Sequence, residues 1–262
     1  MSSKSSITTT TIQKLWQNCL PWLEAVALTT WGIALLRLWL LGKLYLLIHP
    51  NYIPLTIIAA FLLTIVGILE AWRVWQRQRS TSKSKNQTHI ALIKPSLSSS
   101  LLLIVAIIAI CINPRPFTSE KAIHRGVFES IADARTVPQS FRASNRPEDR
   151  TLVEWVRTIS AYPEPDAYKG QKADMTGFVV HAPDRPDNIF ILTRFIITCC
   201  AADVYPVGLP IKIEGSRSQY APDKWVRIEG QADVDSSSDK RQVVIVASKV
   251  TEIPEPKNPY DY

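Results

Sequence analysis

Histidine, cysteine and glycine are scarce in this chain: its 262 residues include four of the first, four of the second and nine of the third. The histidines, His49, His89, His124 and His181, are scattered and show no paired spacing for a metal. No glycine loop is built to cradle phosphate, no His-Glu zinc helix is present, and no serine stands in a nucleophile elbow. Without these devices the common hydrolase, nucleotide-binding and metalloprotease chemistries have no foothold, and the chain is not expected to be an enzyme. Acidic residues are also missing from one place where their absence has meaning, the segment 71–94, which nevertheless carries Arg73, Arg77, Arg79, Lys83, Lys85 and Lys94.

Hydrophobic length is what the chain has instead. Segment 25–48 is interrupted only by Arg37 and Lys43, and segments 52–69 and 95–114 carry no charge. Any one of them would suit the core of a soluble protein, and the last opens on Ser98, Ser99 and Ser100 before an apolar centre over 101–112. Three in succession, each near the roughly 20 residues that cross a bilayer as a helix, predict transmembrane helices at about 25–48, 52–72 and 95–113. The basic loop 73–94 then belongs in the cytoplasm, because short loops rich in Lys and Arg resist translocation. Lys4 and Lys14 agree with a cytoplasmic amino terminus, and everything after Pro114 is expected outside. Lys43 would have to snorkel to the outer headgroups. No signal-peptide cleavage pattern is evident, so the first span is expected to be retained. Trp31, Trp39, Tyr45 and Tyr52 at the outer side, with Trp72 and Trp75 at the inner, suit interfacial aromatic belts. Arg37 is the ionisable residue inside a span, where an unpaired charge costs about 2.5–3.5 kcal/mol. It should face a protein partner or a polar path, or else snorkel. The formal net charge of +7 is partly a signal of topology. Nucleic acid is not an expected partner, since it lies on the other side of the membrane from the carboxy-terminal part.

Beyond the membrane unit, 1–114, the stretch 115–146 mixes Ser, Arg and Pro without periodicity and reads as a tether. Asn145, Pro147 and Glu148 have the spacing of a helix start, and Leu152, Trp155, Val156 and Ile159 recur at helical intervals. Five apolar runs follow within an extracytoplasmic domain, 147–262, at 174–180, 189–198, 207–214, 224–234 and 242–253. They predict an all-β, OB-like five-stranded barrel at about 166–254, with a sandwich as the competing arrangement. Gly177 and Gly230 are placed to supply bends or bulges.

Chemistry concentrates at the end of the second run, where Cys199, Cys200 and Asp203 follow Thr193-Arg194-Phe195-Ile196-Ile197-Thr198. Two thiols and a carboxylate suit a thiophilic or borderline ion, zinc or copper. Neighbouring residues of a regular strand point to opposite faces, so the two thiols can share an ion only if the backbone turns here. A vicinal disulfide and a plain packing role are the other two possibilities. His181, after the first run, would join the cluster if the first two strands pair. Trp225 reads as a plug of the barrel. Cys19 and Cys111 lie at or within the spans and read as packing or lipid-facing residues.

The layout of three spans, then Tyr168-Lys169-Gly170, Thr176-Gly177-Phe178-Val179, the Arg194 to Asp203 segment and Trp225-Val226-Arg227-Ile228-Glu229-Gly230, resembles the YcgQ-like family of bacterial permease subunits over nearly the whole chain. That resemblance implies a multi-pass protein of the bacterial plasma (inner) membrane working beside a larger multi-span permease subunit, with a link to metal handling. It implies Cys199, Cys200 and Asp203 as the site, with Arg194 and Trp225 as supports. A membrane-tethered vicinal-dithiol redox protein and a structural docking module are the alternatives.

Overall fold

The computed structural model describes residues 5–79, 95–126, 146–183, 185–235 and 241–262, and the chain divides into two units, Met1–Pro114 and Arg115–Tyr262. The first unit is built from α1 (Ser5–Leu40), α2 (Ile53–Arg79) and α3 (Pro95–Cys111). Two stretches are long and apolar enough to cross a membrane, Trp22–Leu40 and Pro50–Arg79. The third apolar helix is shorter: the 17 residues of α3 span about 25 Å at 1.5 Å per residue, against about 30 Å of hydrocarbon.

The first span differs from its expected bounds because α1 stops at Leu40. Gly42 takes the left-handed conformation, φ +62°, that a helix end of this kind requires. Its N–H donates to Trp39 O at 2.8 Å, and the Lys43 N–H donates to Leu38 O at 2.9 Å. Residues 41–48 are therefore a connection and not the end of a span. Lys43 lies in that connection and its Nζ donates to Asn113 Oδ1 at 2.5 Å. Arg37, expected deep within a span, stands in the last turn of α1, where a cation complements the helix dipole. Its Nη1 is buried and has no hydrogen-bond partner among the described residues. Lys83, Lys85, Lys94 and His89 lie outside the described residues.

Helices α1 and α2 meet through a repeated pattern, Ala25, Thr29, Gly32 in one and Ala60, Thr64, Gly67 in the other. A side chain on Gly32 would collide with Thr64 Oγ1 and come within 2.8 Å of Ala60 O. One on Gly67 would collide with Thr29 Oγ1 and come within 2.8 Å of Thr29 N. Contacts that reciprocate in opposite sequence order make the pair antiparallel. Both threonine hydroxyls fold back onto their own helix, donating to Ala25 O and Ala60 O at 2.8 Å each, so neither is left unsatisfied. Small residues permit this closeness, as they do between helices in bilayers. Helix α3 runs alongside α1 in the same direction: the Trp31 indole donates to Leu102 O at 3.0 Å, and Lys43 reaches Asn113.

The second unit contains β1 (Lys172–Val180), β2 (Ile189–Ile196), β3 (Tyr205–Lys212), β4 (Trp225–Asp235), β5 (Gln242–Glu252) and the short β6 (Tyr260–Asp261). Pairing runs β1–β2–β3–β5–β4 and returns to β1, so the first five strands close into a barrel. Only β3–β5 is parallel among these, and β6 adds to β2 in parallel. Met175, Leu192, Leu209, Ile228 and Ile245 fill the interior at alternate positions. Both expected glycine sites serve the curvature. The β4–β5 register shifts at Glu229/Gly230, and at Gly177, where β1 passes from β4 to β2, a side chain would come within 2.7 Å of Thr193 O.

A short helix α5 (Leu152–Ala161) packs Leu152, Trp155 and Val156 into the same core. Its start is Thr151, not the expected Asn145, Pro147 and Glu148. The Thr151 hydroxyl accepts from the Glu154 N–H, and the Glu154 carboxylate accepts from the Thr151 N–H, a complete capping box. Pro147–Asp149 is instead one turn of 3₁₀-helix, and Asn145 lies outside the described residues.

The expected tether 115–146 is in its first part bound to the barrel. The Phe117 N–H donates to the Tyr260 hydroxyl at 3.1 Å and its ring lies 5.5 Å from Phe195. The next helix, α4 (Ser119–His124), begins with the Ser119 N–H on Asp223 Oδ1 at 2.5 Å. Arg125 then donates to Val204 O.

Candidate metal centre

Strand β2 ends at Ile196, and the chain turns before β3 starts at Tyr205. The device that turns it is Asp203. One carboxylate oxygen, Oδ2, accepts from the Thr198 hydroxyl and from the Cys199 N–H at 2.7 Å, while Oδ1 accepts from the Cys200 N–H at 3.1 Å. The Asp203 N–H returns to Cys200 O at 3.0 Å. Residues 198–203 are thereby wrapped around a single carboxylate, and the alternation of a strand is suspended over the two cysteines. Their sulfurs consequently converge, 3.8 Å apart, as free thiols. Cys199 is exposed and Cys200 half-buried. The two Sγ atoms and an Asp203 oxygen all lie within 4.8 Å of one another.

The electrostatics follow from the same bonds. Partial burial of Asp203 opposes ionisation, but the Thr198 hydroxyl, the Cys199 thiol and the two N–H donors outweigh it and bring its pKa down to about 2. The Cys199 thiol donates to that anion and neighbours the Cys200 thiol, so its pKa rises to about 11. At neutral pH the Cys199 thiol is protonated, a weak nucleophile that a metal ion would have to deprotonate on binding.

His181 does not join this cluster. The β1–β2 register pairs Val180 with Ile191, which sets His181 near the first residues of β2, while the cysteines follow its last. Its Nε2 lies 2.8 Å from Tyr220 O. Arg194 and Trp225 do act together, but on the carboxy terminus. The Arg194 guanidinium grips both oxygens of Asp261, at 3.0 and 2.9 Å, and lies 5.2 Å over the Trp225 ring. Trp225 is not a plug. Val226 and Ile228 take the inward positions of β4, which turns Trp225 to the other face, into a cluster with Phe178 at 5.8 Å. Phe117, Phe195 and Tyr260 extend that cluster and, with Asp223 and Glu255, line a pocket of about 240 Å³.

Two contributors were not anticipated. Thr198 completes the ring of donors around Asp203, and its signal was in the spacing Thr-Cys-Cys-x-x-Asp, which places a short acceptor within reach of three donors. Strand β6 was the other: the Ile197 N–H donates to Asp261 O at 3.0 Å, one residue before the loop begins. Two residues after a proline carry too short a pattern to announce a strand.

No curated protein and no solved structure matches the chain. The DUF1980 N-terminal domain matches residues 23–127 and the DUF1980 C-terminal domain matches residues 140–262. A helical unit followed by a barrel with its paired cysteines is thus the form taken here by a protein of the DUF1980 family, whose two domains have no assigned function.

Proposed function

We propose that this protein is a membrane-anchored metal-binding subunit, holding a thiophilic cation at Cys199 and Cys200 on an extracytoplasmic barrel of OB type. The observation that carries the proposal is the convergence of two adjacent sulfurs at 3.8 Å on an exposed loop. Two thiolates each about 2.3 Å from a tetrahedral zinc ion are themselves about 3.8 Å apart, so an ion enters without rebuilding the loop. Copper is the other candidate on softness.

The anchor supports the same proposal. Ile58, Leu62, Ile65, Ile68 and Trp72 on α2 are 52–58% exposed, a surface suited to lipid. In this arrangement α3 is a third span, the basic segment after α2 is cytoplasmic and the barrel is outside. Three helices with so few polar residues do not by themselves line a solute path, and on this reading transport belongs to a larger multi-span partner, in keeping with the resemblance to YcgQ-like permease subunits. A dithiol redox role is disfavoured by a Cys199 thiol held protonated to about pH 11.

The test is metal content by mass spectrometry on full-length protein extracted from membranes without chelator. About one equivalent of zinc or copper, absent from Cys199→Ser/Cys200→Ser, is expected. Equal metal in both proteins would sink the site. Crosslinking in native membranes that recovers no multi-span protein would sink the partner.

A further inference from the structure

Asp203 is close enough to the sulfurs to be counted as a third ligand, yet its oxygens are already occupied. Oδ2 takes the Thr198 hydroxyl and the Cys199 N–H, and Oδ1 takes the Cys200 N–H. A carboxylate has about four acceptor positions, and three of them here hold the backbone and side chain of the loop that aims the thiols. Drawing Asp203 onto an ion would compete with the bonds that bring Cys199 and Cys200 together. Among the described residues no histidine, cysteine or further carboxylate completes the group. His181 is at the far end of β2 and bonded to Tyr220 O.

Resting on the metal reading above, we infer that Cys199 and Cys200 are the only protein ligands among the described residues, that Asp203 is a positioning residue, and that the bound cation keeps open coordination positions for a donor from a second molecule. Structural zinc sites close their shell with four protein ligands, whereas sites that act on or exchange a ligand leave a position open. An exposed two-thiolate site is therefore suited to passing a cation by ligand exchange: an incoming thiolate or imidazole binds the ion before the cysteines release it. The balance is simple, with two thiol protons lost on loading and regained on release, and no change of oxidation state.

The experiment uses full-length protein in detergent loaded with zinc(II), read by X-ray absorption at the zinc edge and by competition with a chromophoric chelator. The expected spectrum shows two sulfur neighbours with the remaining positions filled by light atoms from solvent, and added glutathione raises the sulfur count to three or four. Asp203→Asn should keep two sulfurs and the same light-atom shell while weakening zinc about tenfold once the easier ionisation of Cys199 is corrected for, the usual scale for a residue that orients ligands. Thr198→Val should weaken it in the same direction, because the Thr198 hydroxyl donates to that carboxylate. A carboxylate signature that disappears in Asp203→Asn overturns the inference alone, as does a sulfur count that glutathione leaves at two. Wild-type protein that takes up no zinc or copper overturns the metal reading together with it.

Discussion

The helical unit and the barrel use the same aliphatic residues in opposite senses. In the barrel, Phe190, Leu192, Ile228 and Ile245 have no exposure and the strands present charge outward, as in the Asp174–Arg227 pair. In the helices most buried positions are small, among them Ala25, Gly32, Ala34, Ala60 and Gly67, while most of the leucine, isoleucine and tryptophan side chains face outward. Water drives the first arrangement, since apolar burial is what stabilises it. A bilayer removes that drive between helices and leaves close packing and satisfied hydroxyls to hold them. On the membrane anchorage proposed above, the contrast between the units is one between two solvents.

The strongest way to break the comparison is to truncate one large residue in each unit. Phe190→Ala opens a cavity in the closed barrel and should cost about 3–5 kcal/mol. Ile58→Ala, on the outward face of α2, should stay within about 0.5 kcal/mol when the protein is unfolded in detergent. Comparable losses from the two would mean that the α2 face packs on protein and that the solvent argument is wrong.

A smaller effect sharpens the helical half. Gly32→Leu puts a side chain where Thr64 Oγ1 and Ala60 O already are. Helices must separate to admit it, and about 1–3 kcal/mol of destabilisation is expected. Pairs of cysteines introduced across α1 and α2 should crosslink in the parent and fail to in the Gly32→Leu background. Unchanged crosslinking would show that the Ala-Thr-Gly repeat is not the contact.

Much of this was legible in advance, and the failures have physical causes. The five strands were visible because alternation and turn residues coincide, whereas closure was expected only against a competing sandwich and is decided by the β1–β2 pairing. The end of α1 was missed because the apolar run continues through Leu41, Leu44 and Leu47. Gly42 ends the helix by its backbone, which hydrophobicity does not record. The start of α5 was misplaced by six residues because Asn145–Glu148 and Thr151–Glu154 have the same spacing, and only the second precedes the apolar face. The convergence of the thiols could be named only as a condition, since it depends on how one carboxylate is used. His181 was paired with them on strand adjacency alone, and adjacency does not say which end of a strand a loop occupies.

The smallest effect on stability tests that carboxylate directly. In metal-free protein Asp203 stays ionised down to about pH 2, so its hold on residues 198–200 is complete above the ordinary carboxylate range and is lost as pH falls through that value. The same charge keeps the Cys199 thiol protonated to about pH 11. Replacing it by the neutral amide in Asp203→Asn removes the largest cause of that rise, so the thiolate becomes more abundant at every pH below it. Each unit of pKa recovered raises the thiolate fraction about tenfold, and alkylation of Cys199 at pH 8 should speed up by at least about that factor. Cys200, whose backbone N–H donates to Asp203 Oδ1, serves as the internal reference. If both cysteines accelerate together, the loop has simply opened. If Cys199 accelerates alone, the carboxylate governs that thiol while the barrel and its closure are untouched.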